Sequence, residues 1–394
     1  CSSDLVYPTA SAITFGQTLG SSTLTTGSAV VNGVSGAITG SYAWTNSLVQ
    51  PTSAGTFSTA TVTFTPTDVT NYSTIDFTIS VTVNAKPVTI TADAKNKIYG
   101  DIDPPLTYQV TSGSLVGTDT FTGSLSRVAG ENVGSYHIQQ GSVALNSNYN
   151  LSYVSADLTV STATLTVTAD SKTKIYGDVN PSLTIRYSGW KGSDGESVLN
   201  TTPTVTTTVD QHSNVGTYTN SISVSGGSDN NYSFSYVPAD FTVTAATLTA
   251  TADAKSKIYG DENPALTFHY SGWKNSENES VLDTEPTVTT TVDQLSNAGT
   301  YTNSISVSGG SDNNYAFSYV PANLTVIAAT LTVTADAKSK IYGDENPALT
   351  FQYSGWKNNE SETVLDTKPN ATTIVDELSN VGTYTNSISV SGGL

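Results

Sequence analysis

The sequence has one cysteine, no methionine and only 15 lysines and arginines among 394 residues. A single cysteine excludes an internal disulfide, and no apolar run approaches the roughly 18 residues that span a membrane. The basic residues are outnumbered by 33 acidic ones, which gives a formal net charge of -18. Because nucleic acids and anionic membranes favour basic surfaces, the charge predicts neither a nucleic-acid partner nor a membrane partner.

The missing methionine indicates that the sequence starts after its start codon, as in a processed chain or a segment. If Cys1 is a mature N-terminus, then Cys1 followed by Ser2 and Ser3 resembles the start of a bacterial lipoprotein, where the cysteine carries the lipid anchor. The alternative is a boundary that falls at a cysteine by chance. Both interpretations stay open at this point.

Serine and threonine make up about 30% of the chain, and threonine is the commoner of the two. Because β-branched threonine favours pleated strands, this composition predicts β-structure rather than helices. Hydrophobic residues at 37%, with 21 tyrosines and 10 phenylalanines, are enough to form cores. Helical periodicity is not sustained anywhere, and only 361–365 is expected to form a single helical turn.

The string Lys-Ile-Tyr-Gly-Asp occurs four times, and a fixed period of this size is typical of tandem domains. Its copies begin at Lys97, Lys174, Lys257 and Lys340. The last two copies lie in a stretch of seventeen identical residues, 252–268 and 335–351. We therefore predict five repeats, called repeats one to five: 1–85 (divergent), 86–162, 163–245, 246–328 and 329–394 (incomplete).

Each full repeat contains short strand-like segments separated by turn signals. Repeat four has seven of them, at 247–252, 256–259, 265–273, 287–292, 300–307, 315–320 and 324–327. This number suits an antiparallel immunoglobulin-like β-sandwich. Alternation along the fifth segment places Tyr301, Asn303, Ile305 and Val307 on one face, which we expect to be the core side.

A second recurring pattern is Asn-x-Gly-x-Tyr, which resembles the tyrosine corner of immunoglobulin-like domains, where the tyrosine hydroxyl bonds back to the backbone. The pattern ends at Tyr136, Tyr218, Tyr301 and Tyr384. Repeat one has Gly55 followed by Phe57, so the turn is kept and the hydroxyl is lost.

Repeats two to five resemble the MBG-type repeats of large bacterial surface proteins and adhesins. The resemblance rests on the Tyr-Gly-Asp-x-x-Pro turn, as in Tyr99 to Pro104, and on a closing segment such as 314–320. Repeat one resembles a related immunoglobulin-like repeat of secreted prokaryotic proteins. The resemblance covers nearly the whole chain and implies an extracellular, cell-surface array without catalytic activity.

Successive repeats are joined without glycine, proline or a charged run, as at 324–334, so we expect little slack and an elongated, stiff rod. In repeat five, the counterparts of 312–328 would fall beyond Leu394, so its last two strands are absent. Two interpretations remain open. Either the natural chain continues, or another chain supplies a strand by complementation and the protein is a filament subunit.

Several residues are candidates for a binding site, and each also has a structural interpretation. Asp261, Asp312 and Asp344 lie in acidic turns that suit calcium, although tight turns favour the same residues. Trp190, Trp273 and Trp356 are candidates for stacking on a glycan, or for anchoring a core. Lysines of the Lys-x-Lys-Ile-Tyr strands raise the question of isopeptide crosslinks.

No catalytic residues are predicted, because the three histidines occupy unrelated positions in different repeats. The sequence therefore predicts a non-catalytic extracellular protein, namely the stalk or fibre of a prokaryotic adhesin. Its expected partners are neighbouring copies or adjoining domains, with a surface glycan or cell-surface ligand as a further expectation. No cofactor other than calcium is considered. The alternatives are the complemented filament and a glycan-binding array.

Overall fold

A computed structural model describes residues 3–5, 7–25, 29–31 and 36–393 of the chain. The described residues form β-strands and four single-turn 3-10 helices, and none of them forms an α-helix. The 3-10 turns are Leu19–Ser21, Glu196–Val198, Glu279–Val281 and Glu362–Val364. The predicted all-β fold with tandem repeats is confirmed. The helical turn expected within 361–365 is present, but the expectation that no other turn forms was wrong, because three more are found.

The chain divides into two compact units, which we describe separately. The first contains the described residues up to 168 together with 186–204 and 225–237, and the second contains 169–185, 205–224 and 238 onward. Repeat one lies in the first unit, and its described residues form seven strands: β1 (Ser3–Leu5), β2 (Ile13–Thr14), β3 (Ala29–Val31), β4 (Ala37–Ile38), β5 (Gly40–Trp44), β6 (Gly55–Pro66) and β7 (Ile75–Asn84). They form the sheets β1-β3-β4 and β2-β7-β6-β5.

Repeat two also lies in the first unit. Its strands are β8 (Lys86–Ala92), β9 (Lys95–Ile98), β10 (Tyr108–Ser112), β11 (Ser126–Arg127), β12 (Gly134–Gln139), β13 (Tyr149–Val154) and β14 (Asp157–Ser161). One sheet has the order β10-β8-β13 and the other β11-β12-β14-β9. Ala92, Ile138 and Leu158 are buried together between these sheets, which makes the repeat a sandwich.

The strands of repeat three are β15 (Ala163–Ala169), β16 (Lys172–Ile175), β17 (Ile185–Ser188), β18 (Thr201–Thr207), β19 (Gly216–Ser228), β20 (Tyr232–Val237) and β21 (Ala239–Thr244). The sheet β17-β15-β20 falls mainly in the first unit, and the sheet β16-β21-β19-β18 falls mainly in the second.

Repeats four and five belong to the second unit. Repeat four has β22 (Ala246–Ala252), β23 (Lys255–Ile258), β24 (Phe268–Ser271), β25 (Thr287–Thr290), β26 (Gly299–Ser308), β27 (Tyr315–Val320) and β28 (Ala322–Ile327). They form the sheets β24-β22-β27 and β23-β28-β26-β25. Repeat five has β29 (Thr332–Ala335) paired with β30 (Phe351–Ser354), and β31 (Asn370–Thr373) paired with β32 (Ile388–Ser391).

The sandwiches contain both parallel and antiparallel pairs, whereas the sequence predicted antiparallel sandwiches. In repeat four the first strand, β22, lies in one sheet and the second strand, β23, lies in the other. The last two strands, β27 and β28, are divided between the same two sheets in the same order. Accordingly β22 lies parallel to β27, and β23 lies parallel to β28. The long chain segment between these strands provides the connection that parallel pairing requires.

One predicted core position is wrong. Asn303 is exposed and adopts a left-handed backbone with φ of 54°, and the register between β26 and β28 shifts between Tyr301 and Ile305. Between these two pairs β26 advances four residues while β28 advances two, so the bulge adds two residues and strict alternation fails at Asn303. Because two extra residues restore the alternation, Ile305 and Val307 keep their buried positions. Asparagine tolerates the left-handed conformation better than most residues.

Candidate functional site: the joints between successive repeats

The Tyr-Gly-Asp turn closes the second strand of its repeat. In repeat two, β9 ends at Ile98, and the amide of Asp101 donates a hydrogen bond of 3.0 Å to the Ile98 carbonyl. Gly100 has φ of +77°, a left-handed conformation that glycine adopts without cost. The turn thereby presents Tyr99 and Asp101 at the end of the repeat.

Tyr99, Gly100 and Asp101 contact the Gly-Trp-Lys loop of repeat three, and we call this contact the 2/3 joint. Lys191 Nζ lies 2.8 Å from Asp101 Oδ1. A Cβ added to Gly100 would lie 2.4 Å from Lys191 Cβ, so the lysine stem packs directly on the glycine. The glycine is therefore needed for both its backbone conformation and its lack of a side chain.

A carboxylate joins tyrosines from two repeats. Asp194 Oδ2 accepts hydrogen bonds from Tyr99 of repeat two at 3.1 Å and from Tyr232 of repeat three at 2.7 Å. The two rings also meet edge to face, with centroids 5.5 Å apart. Burial, followed by the bond to Asp194, raises the pKa of Tyr232 to about 12, so this hydroxyl stays protonated as a donor.

An asparagine holds the tyrosine corner of the preceding repeat. Asn231 Oδ1 accepts from the Val133 amide at 2.9 Å, and Asn231 Nδ2 donates to Asn132 Oδ1 at 3.2 Å. The corner itself is formed as predicted, because the Tyr136 hydroxyl donates to the Asn132 carbonyl at 2.7 Å. Corresponding bonds are made by Tyr218, Tyr301 and Tyr384.

The 3/4 joint, within the second unit, repeats this arrangement with glutamate in place of aspartate. Glu277 accepts from Tyr176 and from Tyr315, both at 2.6 Å. Lys274 Nζ lies 2.7 Å from Asp178 Oδ1. A Cβ on Gly177 would again lie 2.4 Å from the lysine Cβ.

The corner contact recurs in the 3/4 joint as well. Asn314 Oδ1 accepts from the Val215 amide at 2.9 Å, and Asn314 Nδ2 donates to Asn214 Oδ1 at 3.2 Å. The geometry of a whole joint is therefore reproduced in a second place.

The 4/5 joint keeps the turn contacts. Tyr259 donates to Glu360 Oε1 at 2.5 Å, and Lys357 Nζ lies 2.6 Å from Asp261 Oδ1. Gly260 lies against Lys357 in the same way as its counterparts. Three joints thus share one pattern: a tyrosine on a carboxylate, an aspartate on a lysine, and a glycine under the lysine stem.

The 1/2 joint is an apolar version of the same contact. Phe15 and Tyr149 meet edge to face at 5.5 Å, and Val116 occupies the place of the lysine above Gly16. The Tyr149 hydroxyl donates to Asp119 Oδ2 at 2.7 Å. The corner contact is also kept, since Asn148 Oδ1 accepts from the Ala54 amide at 2.8 Å.

The match to a protein family falls on the repeats that carry the Tyr-Gly-Asp turn. A family model described as MBG domain (YGX type) matches four segments, 88–159, 165–242, 248–325 and 331–394. These segments cover most of the chain. The chain belongs to the MBG family. The Tyr-Gly-x triplet of the family's description corresponds in this chain to the turns at Tyr99, Tyr176, Tyr259 and Tyr342, and no curated protein matches the sequence significantly.

The three tryptophans proposed as glycan platforms pack against tyrosines of their own MBG repeats. Trp190 is half-buried between Tyr187 and Tyr232, with ring centroids 5.4 and 5.3 Å away, and belongs to a hydrophobic cluster. Trp273 has the same two neighbours in repeat four, and Trp356 contacts Tyr353 at 5.1 Å. Whether any of them binds a sugar stays a prediction.

The calcium candidates of the MBG repeats have protein partners. Asp261 pairs with Lys357, and Asp312 Oδ1 accepts from the amides of Asn314 and Tyr315. The Asp344 carbonyl accepts from Lys340 Nζ at 2.9 Å. Over the described ranges, no group of three or more histidines, cysteines, aspartates and glutamates is suited to hold a metal. Cys1, the lipid-anchor candidate, lies outside the described residues.

The lysine before each Ile-Tyr-Gly is buried in MBG repeats two to four. Lys174 and Lys257 donate to backbone carbonyls, those of Asp178 and Asp261 at 3.0 and 3.1 Å and those of Asp210 and Asp293 at shorter range. Burial lowers the pKa of Lys174. These lysines fasten the Tyr-Gly-Asp turn to the rest of their repeat.

Repeat two supports its turn with an ionic cluster instead. Lys97 Nζ lies 2.7 Å from Asp103 and 2.5 Å from Glu131, while Arg127 binds the same two carboxylates. Hydrogen bonds from Arg127, and then from Lys97, lower the pKa of Asp103 to about 2. Asp103 therefore remains charged under all ordinary conditions.

The residues that close the joints were not predicted from the sequence. None of Asp194, Glu277, Glu360, Asn231 and Asn314 was a predicted site residue. One signal was present in the sequence: an acidic residue follows each of Trp190, Trp273 and Trp356 by four positions. That regularity fits a shared contact better than a variable loop.

Proposed function

We propose that this chain is a non-catalytic, extracellular spacer of a prokaryotic surface protein, whose MBG repeats act by holding a fixed orientation to one another. The observation that carries the proposal is the recurrence of one joint, with the same tyrosine, glycine, aspartate, lysine and carboxylate, at three successive positions. Repeats that only needed to be connected would not require a shared set of hydrogen bonds and ion pairs at every connection.

The short connections support the same role. Only Thr162 separates β14 from β15, and only Ala245 separates β21 from β22. A one-residue connection leaves little freedom, and the joint contacts remove more of it. The acidic, serine- and threonine-rich surface suits a spacer that must resist non-specific association.

The surface location is part of the proposal and rests on the family together with the composition. Among the described residues, no helix is long and apolar enough to cross a membrane. Protease treatment of intact source cells, with immunoblotting for this chain, tests the location. Removal of the chain without cell lysis is expected, and full protection of the chain would contradict an extracellular role.

Joint rigidity can be measured with spin labels on either side of the 3/4 joint. Thr217 and Thr300 are exposed equivalents in neighbouring repeats and suit labelling as Thr217→Cys and Thr300→Cys in a Cys1→Ser background. Double electron–electron resonance is expected to give one narrow distance distribution. Glu277→Gln combined with Gly177→Ala should broaden it, with the matched change Gly343→Ala as control. A broad distribution in the unmodified joint would refute the spacer proposal.

A further inference from the structure

Repeat four has four edge strands, and three of them carry features that hinder pairing with another chain. β23 points Lys257 into the interior of its repeat, where the residue is only 6% exposed. β24 carries the exposed His269, whose Nδ1 lies 3.0 Å from Asp253 Oδ1, and β25 begins directly after Pro286. Inward-pointing charges, exposed ionisable groups and prolines are features by which proteins keep a sheet edge from adding a foreign strand.

The fourth edge strand, β27, has none of these features. It is the outermost strand of the sheet β24-β22-β27, and in the part of the chain that the structure describes β22 is its one strand partner. Its sequence, Tyr-Ala-Phe-Ser-Tyr-Val, contains no charged residue, proline or glycine, and its aromatic residues favour an extended strand. Because the whole chain has a formal net charge of -18, an uncharged edge is a place where two copies can meet without bringing like charges together.

The free edge of β27 presents backbone groups at Phe317 and Tyr319. The Ala246 amide donates a hydrogen bond of 2.9 Å to the Asn314 carbonyl, and Ala246 lies opposite Tyr315. In a parallel pair, the residues that bond to the neighbouring strand alternate with residues directed away from it. Since Asn314 bonds to β22, Phe317 and Tyr319 direct their N–H and C=O groups outward, where an added strand would meet them.

β27 is complementary to itself when two copies run antiparallel with their Ser318 residues face to face. In this register Phe317 of each copy lies opposite Tyr319 of the other, and the outward N–H and C=O groups of both residues are paired. Within one β27 the Phe317 and Tyr319 rings already lie side by side, with centroids 6.0 Å apart and planes at 16°. Two copies together would place both pairs of rings on one face of the extended sheet, and cross-strand aromatic pairs stabilise antiparallel strands.

The same edge recurs in repeats two and three. β13 and β20 are the outermost strands of their sheets, and neither contains a charged residue, proline or glycine. The amides of Lys86 and Ala163 each donate at 2.9 Å to the carbonyl of the asparagine that precedes the edge strand, as in repeat four. The backbone of β13 and β20 is therefore directed outward at the corresponding positions. The counterparts of Ser318 are Ser152 and Ser235, and all three serines are exposed.

We infer that β27 is an interaction surface for a second copy of this chain, whose own β27 adds to it in antiparallel about a two-fold axis at Ser318, and that β13 and β20 pair in the same way. A symmetric contact uses the same residues on both partners, and the residues on either side of Ser318 meet this requirement. The inference goes beyond the spacer proposal and does not rest on it, because joint rigidity is a property of a single chain.

Crosslinking through single cysteines tests the register on the full chain in a Cys1→Ser background. Residues that face each other without mutual backbone bonds have Cα atoms about 4.5 Å apart, which suits a disulfide. Ser318→Cys should therefore form a disulfide-linked dimer in a glutathione redox buffer. Ala316→Cys is the matched control, because it is exposed on the same face but would lie about 14 Å from its equivalent in the second copy. Equal crosslinking of the two variants, or none in either, would overturn the inference.

Sedimentation equilibrium over a range of chain concentrations tests the association itself, which is expected to be reversible. One variant places lysine at the three axis positions, by Ser152→Lys, Ser235→Lys and Ser318→Lys. Its matched control places lysine two positions earlier on the same exposed faces, by Asn150→Lys, Ser233→Lys and Ala316→Lys. The first variant should weaken association at least about tenfold, since two lysines would meet at each axis. The control has the same net charge and should weaken association much less.

Two outcomes of the sedimentation experiment would contradict the inference. One is a chain that stays monomeric at every concentration, and the other is equal association of the two lysine variants. Unchanged circular dichroism would show that both variants remain folded, as expected for substitutions at exposed positions. The spin-label distances within one chain do not depend on this association, so the inference and the spacer proposal fail separately.

Discussion

Gly260 lies so close to Lys357 that a Cβ on the glycine would be 2.4 Å from the lysine Cβ, whereas a Cβ on Gly343, one period later, meets nothing within 4 Å. Both glycines have left-handed backbones, with φ of +80° and +91°. The pair therefore separates two requirements that the Tyr-Gly-Asp turn otherwise combines: backbone conformation and space for the neighbouring repeat.

Gly260→Ala should consequently cost more than Gly343→Ala. Each substitution carries the strain of a left-handed alanine, about 1–2 kcal/mol, and Gly260→Ala adds overpacking of about 1–3 kcal/mol. Hydrogen exchange, which reports local opening repeat by repeat, should show the larger loss of protection at the 4/5 joint. Equal losses in the two variants would mean that the lysine contact is unimportant.

The hydrogen bond between Tyr176 and Glu277 should couple repeats three and four. Tyr176 is buried, so removing its hydroxyl leaves a carboxylate oxygen without its partner. A double-mutant cycle with Tyr176→Phe and Glu277→Gln, measured by denaturation, should give a coupling free energy of about 1–2 kcal/mol. Tyr342→Phe, at an exposed counterpart, should change little. Additive effects of the two substitutions would argue against coupling across the joint.

Acid should destabilise repeat two more than repeat four. The folded-state pKa of Asp103 is lowered to about 2, below its unfolded value of about 3.9. Its contribution is therefore present above about pH 4 and is lost as the pH falls through about 2. The pKa of Glu131 is lowered as well, by hydrogen bonds from Lys97 and Arg127.

Repeat four provides the internal control, because Asn263 occupies the counterpart of Asp103. Hydrogen exchange between pH 5 and pH 2, corrected for intrinsic rates, should show a steeper loss of protection in 88–159 than in 248–325. Asp103→Asn should reduce that difference. An unchanged difference in this variant would show that other groups cause the acid sensitivity.

Trp273→Ala should destabilise repeat four by roughly 2–3 kcal/mol, less than for a fully buried tryptophan because Trp273 is half-buried. Trp273→Phe should recover part of the loss, since a ring would still meet Tyr270 and Tyr315. Denaturation followed by tyrosine fluorescence measures both variants. A loss of glycan retention with unchanged stability would instead favour the glycan-binding alternative.

The sequence predicted the strands well and the joints incompletely. All seven segments expected in repeat four are strands, because turn residues and alternation at period two are local signals. Asn303 was misplaced because its left-handed conformation lies in a bulge that interrupts the alternation locally, between Tyr301 and Ile305. Parallel pairing was not predicted. It depends on which sheets the first two and the last two strands of the repeat join, and local sequence patterns do not show this.

The joint residues were hard to predict for a related physical reason. Asp194 contacts Tyr99 across 95 positions of sequence, and nothing local to either residue reveals the partner. The Tyr-Gly-Asp turn was recognised as a motif, but its purpose depends on a surface that the neighbouring repeat supplies. Repetition was the usable signal, because a contact that recurs in successive repeats requires the residues that form it to recur at the same spacing in the sequence.

The parallel arms of repeats two to four determine how each of these repeats would respond to tension. In repeat four the chain enters through β22 and leaves through β28, and the arms β22–β23 and β27–β28 run side by side in the same direction. A force that pulls the two ends apart along the strands acts across their hydrogen bonds. These bonds are then loaded in shear, all together, and cannot open one after another from an end.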